Sequence, residues 1–317
     1  MSQGRIPELD YLKGVLILLV ISFHLVYFEQ LHPFAKQVVY SFHMPGFLLI
    51  SGYLMNVGKP PKDFRRMLLW LAIPYLIMES GYIVMASLLP INEHIEHLTP
   101  MVFVDRLLLH PLGPYWYLHT LIICGSIYFL IINSKFKIQN SKFLLPLQLI
   151  LIGPAYYVLS TFNFQLSFSS ALYFLAGAAI RQSGTDFITF FRPNKLSVLA
   201  FALLVFFSVN PNQASIYGAL IAYTAISSLL YIFHLFNFFP FNLLTFLGRN
   251  SLVLYIFSPI FTILCKRFVP YLQIDPTGLI FLLVSLVFCV VGSLAIAWAM
   301  DVTGISRFFF GRKAIRE

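Results

Sequence analysis

The residues best suited to chemistry are a lysine and a histidine in the first apolar segment. Lys13 and His24 are 11 residues apart. On a continuous helix this spacing places them on nearly one face, about 16 Å apart along the axis. Imidazole exchanges protons near neutral pH, so His24 could accept the proton of a hydroxyl group. The alternative is a buried histidine that is hydrogen-bonded to a neighbouring helix.

Three further titratable side chains, His43, Glu79 and His119, fall at a similar depth in the next three apolar segments. An ionisable group at the centre of a membrane costs about 3 kcal/mol on insertion scales, and such groups therefore mark functional sites. Together with His24 they could converge on one polar pocket, or each could make a hydrogen bond between helices. Trp116, near His119, could contact an acceptor or belong to an interfacial aromatic belt.

A basic cluster precedes the third apolar segment. Arg65 and Arg66 follow Lys59 and Lys62 within a few residues. Guanidinium groups pair bidentately with phosphate, so a phosphate-rich donor such as coenzyme A could bind here. The alternative is that these cations only anchor the cytoplasmic end of a membrane helix.

The composition assigns the chain to the membrane proteins. Of its 317 residues 59% are hydrophobic and 10% are charged, whereas soluble domains carry about 25% charged residues. The apolar residues form blocks of the length that crosses a bilayer, and backbone groups in lipid must be satisfied within a helix. We therefore predict an all-α, polytopic protein with about ten transmembrane segments: 11–28, 37–56, 67–89, 114–133, 143–160, 167–180, 196–209, 214–238, 251–268 and 279–300.

The basic residues predict the orientation of these segments. Cytoplasmic loops retain Lys and Arg, and a ten-segment arrangement with both termini in the cytoplasm leaves only four of the 21 basic residues outside: Lys36, Arg106, Lys266 and Arg267. The net charge of +9 then reports orientation and attraction to anionic lipid, so we expect membrane lipids and no nucleic acid as partners. We expect a single domain, 1–317, without a fused soluble domain.

The longest predicted outer loop, 90–113, could cover a site at the outer surface. His94 and His97 within it have a spacing that suits a metal on a helix, but further ligands are lacking. Cys124, Cys265 and Cys289 all lie in apolar segments without disulfide or metal spacing. We therefore predict no metal site.

Several motifs occur in the order found in one known family. The sequence resembles the membrane-bound acyltransferase 3 family of bacterial surface-glycan O-acyltransferases. The resemblance is carried by residues 8–14 with His24, by 41–47 with 50–53, and by 64–66 with 73–75. Weaker similarity is found at 115–118, at 174–177 and at 247–252 leading to Tyr255.

The resemblance implies about ten helices, cytoplasmic termini, an acyl-CoA donor, a sugar acceptor and catalysis by His24. It also shows a departure, because Ser258 stands where many relatives have a histidine. We therefore expect an O-acyltransferase of the bacterial inner membrane. It would transfer an acyl group, with acetyl expected, from cytoplasmic acyl-CoA to a hydroxyl of an extracytoplasmic or lipid-linked carbohydrate, and would hold no permanently bound cofactor.

Each candidate residue has an expected role in this reaction. His24 would deprotonate the acceptor hydroxyl or carry the acyl group, with Glu79 or Asp10 as orienting groups. Cations would bind the phosphates of the donor, and further side chains would line the acceptor side. The expected donor-binding residues are Lys13, Arg65 and Arg66, and the expected acceptor-binding residues are His43, Trp116 and His119.

Two other functions are compatible with buried polar groups. A transporter of a glycan, lipid or small solute would use them to line a pathway, although we find no inverted repeats or paired broken helices in the sequence. A family member without catalysis could act as an assembly partner. Binding of acyl-CoA separates the enzyme from the transporter.

Overall fold

The computed structural model describes residues 5–89, 93–133, 141–161, 166–207, 214–235 and 239–311. This part of the chain contains helices and connecting turns and no strand, which confirms the all-α prediction. The first eight helices are α1 (Pro7–Ser22), α2 (Val26–Leu31), α3 (Pro33–Leu54), α4 (Pro61–Leu88), α5 (Pro100–Leu108), α6 (Trp116–Ile132), α7 (Ser141–Thr161) and α8 (Phe168–Gln182). The remaining helices are α9 (Phe187–Phe191), α10 (Lys195–Phe206), α11 (Ile216–Leu235), α12 (Phe239–Arg249), α13 (Ser251–Cys265), α14 (Val269–Leu272), α15 (Leu279–Thr303) and α16 (Ser306–Phe309).

Each of the ten predicted segments overlaps at least one helix. Five helical stretches are long and apolar enough to cross a membrane: Pro61–Leu88, Pro100–Ile132, Ile216–Leu235, Ser251–Leu272 and Leu279–Thr303. Ten spans and two cytoplasmic termini therefore stay predictions. Residues 1–4 and 312–317, at the two ends, and the predicted basic loop residues 134–140 lie outside the described residues.

The chain divides into two compact units. The first contains the residues up to Phe47 together with Asp186–Phe308. The second contains Leu48–Thr185 with Phe309–Gly311. The boundary falls inside α3, so the first apolar segments contribute to the first unit and helices α4–α8 to the second.

The first apolar segment is broken, contrary to the prediction of one helix over 11–28. Helix α1 ends at Ser22 and α2 begins at Val26. The carbonyl of Val20 accepts a hydrogen bond from the His24 ring at 2.7 Å, while the backbone N–H of His24 bonds to Ile21 instead. The ring of His24 thus takes the place of the backbone N–H that would bind the Val20 carbonyl in a continuous helix. The backbone N–H groups of His24 and Leu25 bind carbonyls three residues earlier instead of four, and the α-helix ends there.

Helix α12 lies between the predicted segments 214–238 and 251–268, where we predicted no membrane helix. Glycine residues allow α12 to pack closely against α1. A Cβ atom placed on Gly248 would lie 1.6 Å from the carbonyl oxygen of Asp10, and one on Gly14 would lie 1.9 Å from that of Leu244. Only residues without a side chain permit such contact between helix backbones. The first unit is therefore packed around α1, whose Leu12, a fully buried residue, lies between these contacts in sequence.

The second unit uses the same packing between the end of α3 and α8. A Cβ atom on Gly52 would lie 2.0 Å from the carbonyl oxygen of Phe174, and one on Gly177 would lie 2.0 Å from that of Leu49. Close beside this contact, Ser51 and Tyr117 share a hydrogen bond of 2.5 Å. These contacts hold α3, α6 and α8 together in the second unit.

Candidate active site

The break after α1 determines which nitrogen of His24 is free. Nδ1 lies 2.7 Å from the carbonyl oxygen of Val20. A carbonyl only accepts hydrogen bonds, so Nδ1 carries the hydrogen of the neutral ring and Nε2 keeps a lone pair. A nitrogen in this state can accept a proton or attack an electrophilic carbon.

The side chain of His24 is exposed at the break after α1, whereas its neighbours Phe23 and Leu25 are buried. The ring of His24 is therefore accessible from outside the packed core.

A group of polar and aromatic side chains lies beside the break. Lys36 forms an ion pair with Glu29 and lies 5.2 Å from the ring centre of Tyr40. Tyr40 donates a hydrogen bond to the carbonyl of Phe23 at 3.1 Å, and its ring lies 5.0 Å from that of His43. We call Glu29, Lys36 and Tyr40 the Glu29 group.

The structure brings His43 into the electrostatic environment of His24. His43 is buried, and its Nδ1 donates to the carbonyl of Val39 at 2.7 Å, which again leaves Nε2 with a lone pair. Glu29 and Lys36 also lie within electrostatic reach of His24. This group was not predicted from the sequence, although the opposite charges of Glu29 and Lys36, seven residues apart across Pro33, were a usable signal.

Asp10 and Lys13 form an ion pair near the start of α1, with N–O distance 2.8 Å. Arg249, which the Gly14 and Gly248 contacts bring to α1, approaches the other carboxylate oxygen at 3.5 Å. Asp10 is buried, with 7% of its surface exposed. Its carboxylate contacts both cations, Lys13 through one oxygen and Arg249 through the other. In the described structure Asp10 orients Lys13 and Arg249, whereas the carbonyl of Val20 orients His24.

His234 and Ser258 occupy separate positions in the first unit. His234 lies 3.8 Å from a carboxylate oxygen of Glu8. Ser258 is buried in α13. Cys265 and Cys289, expected to be core residues, are buried free thiols with their sulfur atoms 3.9 Å apart.

The second unit holds Glu79 and His119. Oε1 of Glu79 accepts a hydrogen bond from the backbone N–H of Leu112 at 2.6 Å, and Nε2 of His119 donates to the carbonyl of Leu108 at 2.9 Å. Both side chains therefore bind one short stretch of the loop between α5 and α6. Glu93, from the connection between α4 and α5, accepts a hydrogen bond from the backbone N–H of Gly113 at 2.7 Å.

The remaining predicted residues of the second unit lie at both ends of its helices. Arg65 and Arg66 are exposed in the first two turns of α4, and the 14 residues between Arg65 and Glu79 correspond to about 20 Å along a helix. Phe64 anchors this end of α4 by stacking on Phe129 with ring centres 3.9 Å apart. Trp116 is half-buried at the first position of α6, one turn before His119.

Among the described residues no group of three His, Cys, Asp or Glu side chains could hold a metal ion. His94 directs Nδ1 to the carbonyl of Ala86 at 2.9 Å, and His97 is exposed.

A profile of the acyltransferase 3 family, described as an acyltransferase domain, matches residues 6–300 of this chain. The chain belongs to this acyltransferase family. It is accordingly an acyltransferase enzyme and, with its apolar helices, a multi-pass membrane protein. Neither the comparison with curated proteins nor that with solved structures finds a match.

The geometry of this acyltransferase separates two kinds of side chain in the first unit. His24 has a free ring nitrogen at an accessible position. Lys13 and Arg249 form a cationic pair on Asp10 at the opposite end of α1. Arg249 was missed as a site residue because only the packing of α12 on α1 places it there, although the short motif at 247–252 pointed to the segment.

Proposed function

We propose that this acyltransferase transfers a short acyl group, acetyl in the simplest case, from cytoplasmic acyl-CoA to a hydroxyl of an extracytoplasmic or lipid-linked carbohydrate. Its location would be the cytoplasmic membrane of a bacterium. The observation that carries the proposal is the state of His24: Nδ1 is bound to the carbonyl of Val20, and Nε2 has a lone pair in an accessible ring.

Two reaction routes are open to this nitrogen. As a general base, Nε2 accepts the proton of the acceptor hydroxyl while the oxygen attacks the thioester carbonyl carbon. The carbon–sulfur bond then breaks, and the coenzyme A thiolate takes up the proton from His24. As a nucleophile, Nε2 attacks the thioester carbonyl carbon, the carbon–sulfur bond breaks and the coenzyme A thiolate leaves. The oxygen of the acceptor hydroxyl then attacks the acyl carbon, the carbon–nitrogen bond to the imidazole breaks, and the hydroxyl proton passes to the thiolate.

The cationic side chains support binding of the donor. Coenzyme A carries several phosphate charges, which pair with guanidinium and ammonium groups. Lys13 and Arg249 lie together on Asp10, and Arg65 and Arg66 are exposed at the start of α4. We assign Lys13 and Arg249 to the donor phosphates, and Arg65 and Arg66 stay predicted donor-binding residues of the second unit.

The positions of Lys13 and His24 along the chain support the direction of transfer. Lys13 lies near the start of α1 and His24 just after its end, and the charge distribution predicts that α1 begins at the cytoplasmic side. A pantetheine arm that starts at Lys13 would extend along α1 to reach the ring of His24. His43 and the Glu29 group would then face the acceptor on the outer side.

Replacement of His24 tests this proposal. With labelled acetyl-CoA and membranes from cells lacking this chain as the acceptor source, His24→Ala should lower incorporation into glycan by about 10²- to 10⁴-fold, because the general base or nucleophile is lost. The control is His97→Ala, which alters an exposed histidine of the outer loop and should leave incorporation unchanged.

The assay also distinguishes the two routes. An acetyl group that remains on the wild-type protein, but not on the His24→Ala variant, after denaturation would identify the nucleophilic route. Full incorporation by the His24→Ala variant would contradict the proposal. Movement of the acceptor without any acyl donor would instead favour a transporter.

A further inference from the structure

Helix α6 is short for a helix that crosses a membrane. Its 17 residues give a length of about 26 Å, against about 30 Å for the hydrocarbon core. Helix α4, with 28 residues, packs beside it. Phe129 of α6 stacks on Phe64 of α4, and Tyr115, just before α6, lies 6.3 Å from Tyr82 between ring centres. The end of α4 at Leu88 therefore extends about 9 Å beyond the start of α6.

The chain between α4 and α6 folds back along α4. The hydroxyl of Tyr75 donates a hydrogen bond to the carbonyl of Leu107 at 2.7 Å, and Oε1 of Glu79 accepts one from the backbone N–H of Leu112 at 2.6 Å. Along the helix, Tyr75 and Glu79 lie about 20 Å and about 14 Å before Leu88. The end of α5 and the residues after it therefore lie beside α4 and not beyond its end.

The packing of α5 agrees with these hydrogen bonds. Val102 and Leu107 of α5 pack against a buried cluster that contains Ile83 and Ala86 of α4. Before α5, the backbone N–H of Ile95 donates to the carbonyl of Ala86 at 3.0 Å. The chain thus passes the last turns of α4 before α5 begins, and α5 then runs back towards the middle of that helix.

The chain after α5 cannot continue as a helix. In a continuous helix, the carbonyls of Leu107 and Leu108 would accept hydrogen bonds from residues 111 and 112. Pro111 has no backbone N–H, and the N–H of Leu112 donates to Glu79. Two backbone carbonyls beside α4 therefore need other donors.

Side chains of α4 and α6 provide these donors. Tyr75 binds the carbonyl of Leu107, and Nε2 of His119 donates to the carbonyl of Leu108 at 2.9 Å. The interior of a membrane offers no water to unpaired backbone groups, so irregular backbone occurs there only where the protein pairs it. The turn after α5 meets this requirement.

The outward face of α5 is apolar. Met101, Val104 and Leu108 are 81%, 50% and 51% exposed. Their spacing of three and four residues places them on one side of the helix. Helix α5 therefore has apolar side chains both where it packs on α4 and where it faces outward, and a helix of this kind is suited to a nonpolar medium.

The charged residues of α5 do not disturb this face. Helical periodicity places the half-buried Arg106 on the side opposite to Leu108. Asp105 lies at the flank, and its carboxylate accepts a hydrogen bond from Nδ1 of His110 at 2.8 Å. Membranes tolerate ionisable side chains that face the protein or pair with one another.

Lipid is the occupant that fits the outward face of α5. Helix α4 has the length and hydropathy of a membrane-spanning helix, and its Ile77, Val84 and Leu88 are exposed. In a multi-pass membrane protein such side chains meet acyl chains. Because α5 lies alongside this part of α4, its own exposed apolar side chains lie at the depth of the same acyl chains.

We infer that α5 and residues 109–113 form a re-entrant segment. It enters the membrane from the side that the charge distribution predicts to be external, turns beside α4 and continues into α6. Met101, Val104 and Leu108 contact the acyl chains of the outer leaflet. The expected outer loop over 90–113 is then limited to the residues before α5.

Spin labelling of the full chain in nanodiscs tests this inference. The label is attached to Met101→Cys, Val104→Cys or Leu108→Cys, and the wild type, whose three cysteines are buried, gives the background. Oxygen concentrates in lipid and a water-soluble nickel chelate in water. The ratio of their collision rates with the label, measured by electron paramagnetic resonance, therefore reports depth.

We expect the oxygen-to-nickel ratio to rise from Met101→Cys to Leu108→Cys, because these positions differ by up to about 10 Å in depth. Ile77→Cys, at an exposed position of α4, should resemble Leu108→Cys. His97→Cys, at an exposed position before α5, should give a lower ratio than all of these.

Three outcomes would overturn the inference. Ratios as low as that of His97→Cys would place α5 in water. Equal high ratios at Met101, Val104 and Leu108 would show a helix that lies flat on the membrane. Poor access of both reagents would show that protein, such as a second copy of this chain, covers the face. The measurement needs no acyl donor, so its result is independent of the proposed function.

Discussion

Backbone carbonyls determine the chemistry of three histidines in this acyltransferase. Val20 and Val39 bind Nδ1 of His24 and His43, whereas Leu108 binds Nε2 of His119. The free ring nitrogen is therefore Nε2 in His24 and His43, and Nδ1 in His119. Because a neutral ring has one donor and one acceptor, each carbonyl selects the nitrogen that is free for a substrate.

Asp10 has a comparable effect on charge. It holds Lys13 and Arg249 as a pair, so two cations stay close together despite their mutual repulsion. A single carboxylate cannot neutralise both, and the remaining positive charge is available to a phosphate.

We therefore predict that Arg249→Gln raises the KM for acyl-CoA about tenfold, because one charge-assisted hydrogen bond to phosphate is lost. The acceptor KM should stay constant. Arg267→Gln is the control, since Arg267 is an exposed arginine of the same unit on the predicted outer side. Steady-state kinetics with varied acyl-CoA make the measurement, and equal KM values for both variants would remove Arg249 from the donor site.

Glycine contacts between helices place Arg249 beside α1. The backbones of α1 and α12 touch at Gly14 and Gly248, where any Cβ atom would overlap a carbonyl oxygen. In a membrane, where lipid is as apolar as leucine, such close packing is a main source of helix association. The fixed position of α12 thus depends on the absence of two side chains.

Substitution of Gly248 by Ala should separate these helices. The added methyl group meets backbone, which cannot rotate away, and we expect destabilisation of about 1–3 kcal/mol as in other overpacked sites. Thermal unfolding in nanodiscs measures the loss. Gly81→Ala is the matched control, because nothing lies within 4 Å of its Cβ position, and replacing a helical glycine there should raise stability by about 0.5–1 kcal/mol.

The acyl-CoA KM gives a second measurement for the Gly248→Ala variant. Displacement of α12 also displaces Arg249, so the KM should rise while Gly81→Ala leaves it constant. Unchanged stability and KM in Gly248→Ala would contradict the tight contact between α1 and α12.

For the molecule as a whole, the charge distribution predicts the arrangement across the membrane. Five helical stretches of the described residues have both the length and the hydropathy that a membrane-spanning helix needs. Others, such as the 16-residue α1 with its Glu8, Asp10 and Lys13, are shorter or more polar. Polar groups are tolerated in a membrane helix when they pair within the bundle, as Asp10 and Lys13 do.

Fusion of alkaline phosphatase to truncated chains tests the ten-span arrangement. The enzyme is active only outside the cytoplasm, so we expect activity for fusions after His97 and Asp275 and none after Lys59 and Thr185. These positions lie in connections between helices. Activity after Lys59 or Thr185 would show that the predicted orientation or number of spans is wrong.

Much of this protein was predictable from local sequence. Apolar blocks predicted an all-helical chain, and each of the ten blocks contains helix, because the length and hydrophobicity needed in lipid are local properties. The first block is two helices and not one, and the count of ten spans stays a prediction. The short motifs around His24, 41–47 and 64–66 predicted the family, which the profile match over residues 6–300 confirms. The candidate roles of Lys13, Arg65, Arg66, His43, Trp116 and His119 stay predictions.

Only the tertiary structure decided the partners of the candidate side chains. The break in the first segment depends on which donor reaches the carbonyl of Val20, and the pairing of Asp10 with Arg249 depends on a helix contact across more than 230 residues of chain. Glu79 was recognised as a buried carboxylate, but its bond to Leu112 requires the folded loop. Hydrogen bonds between distant residues leave no periodic pattern in the sequence, because each depends on the position of a partner that other parts of the chain determine.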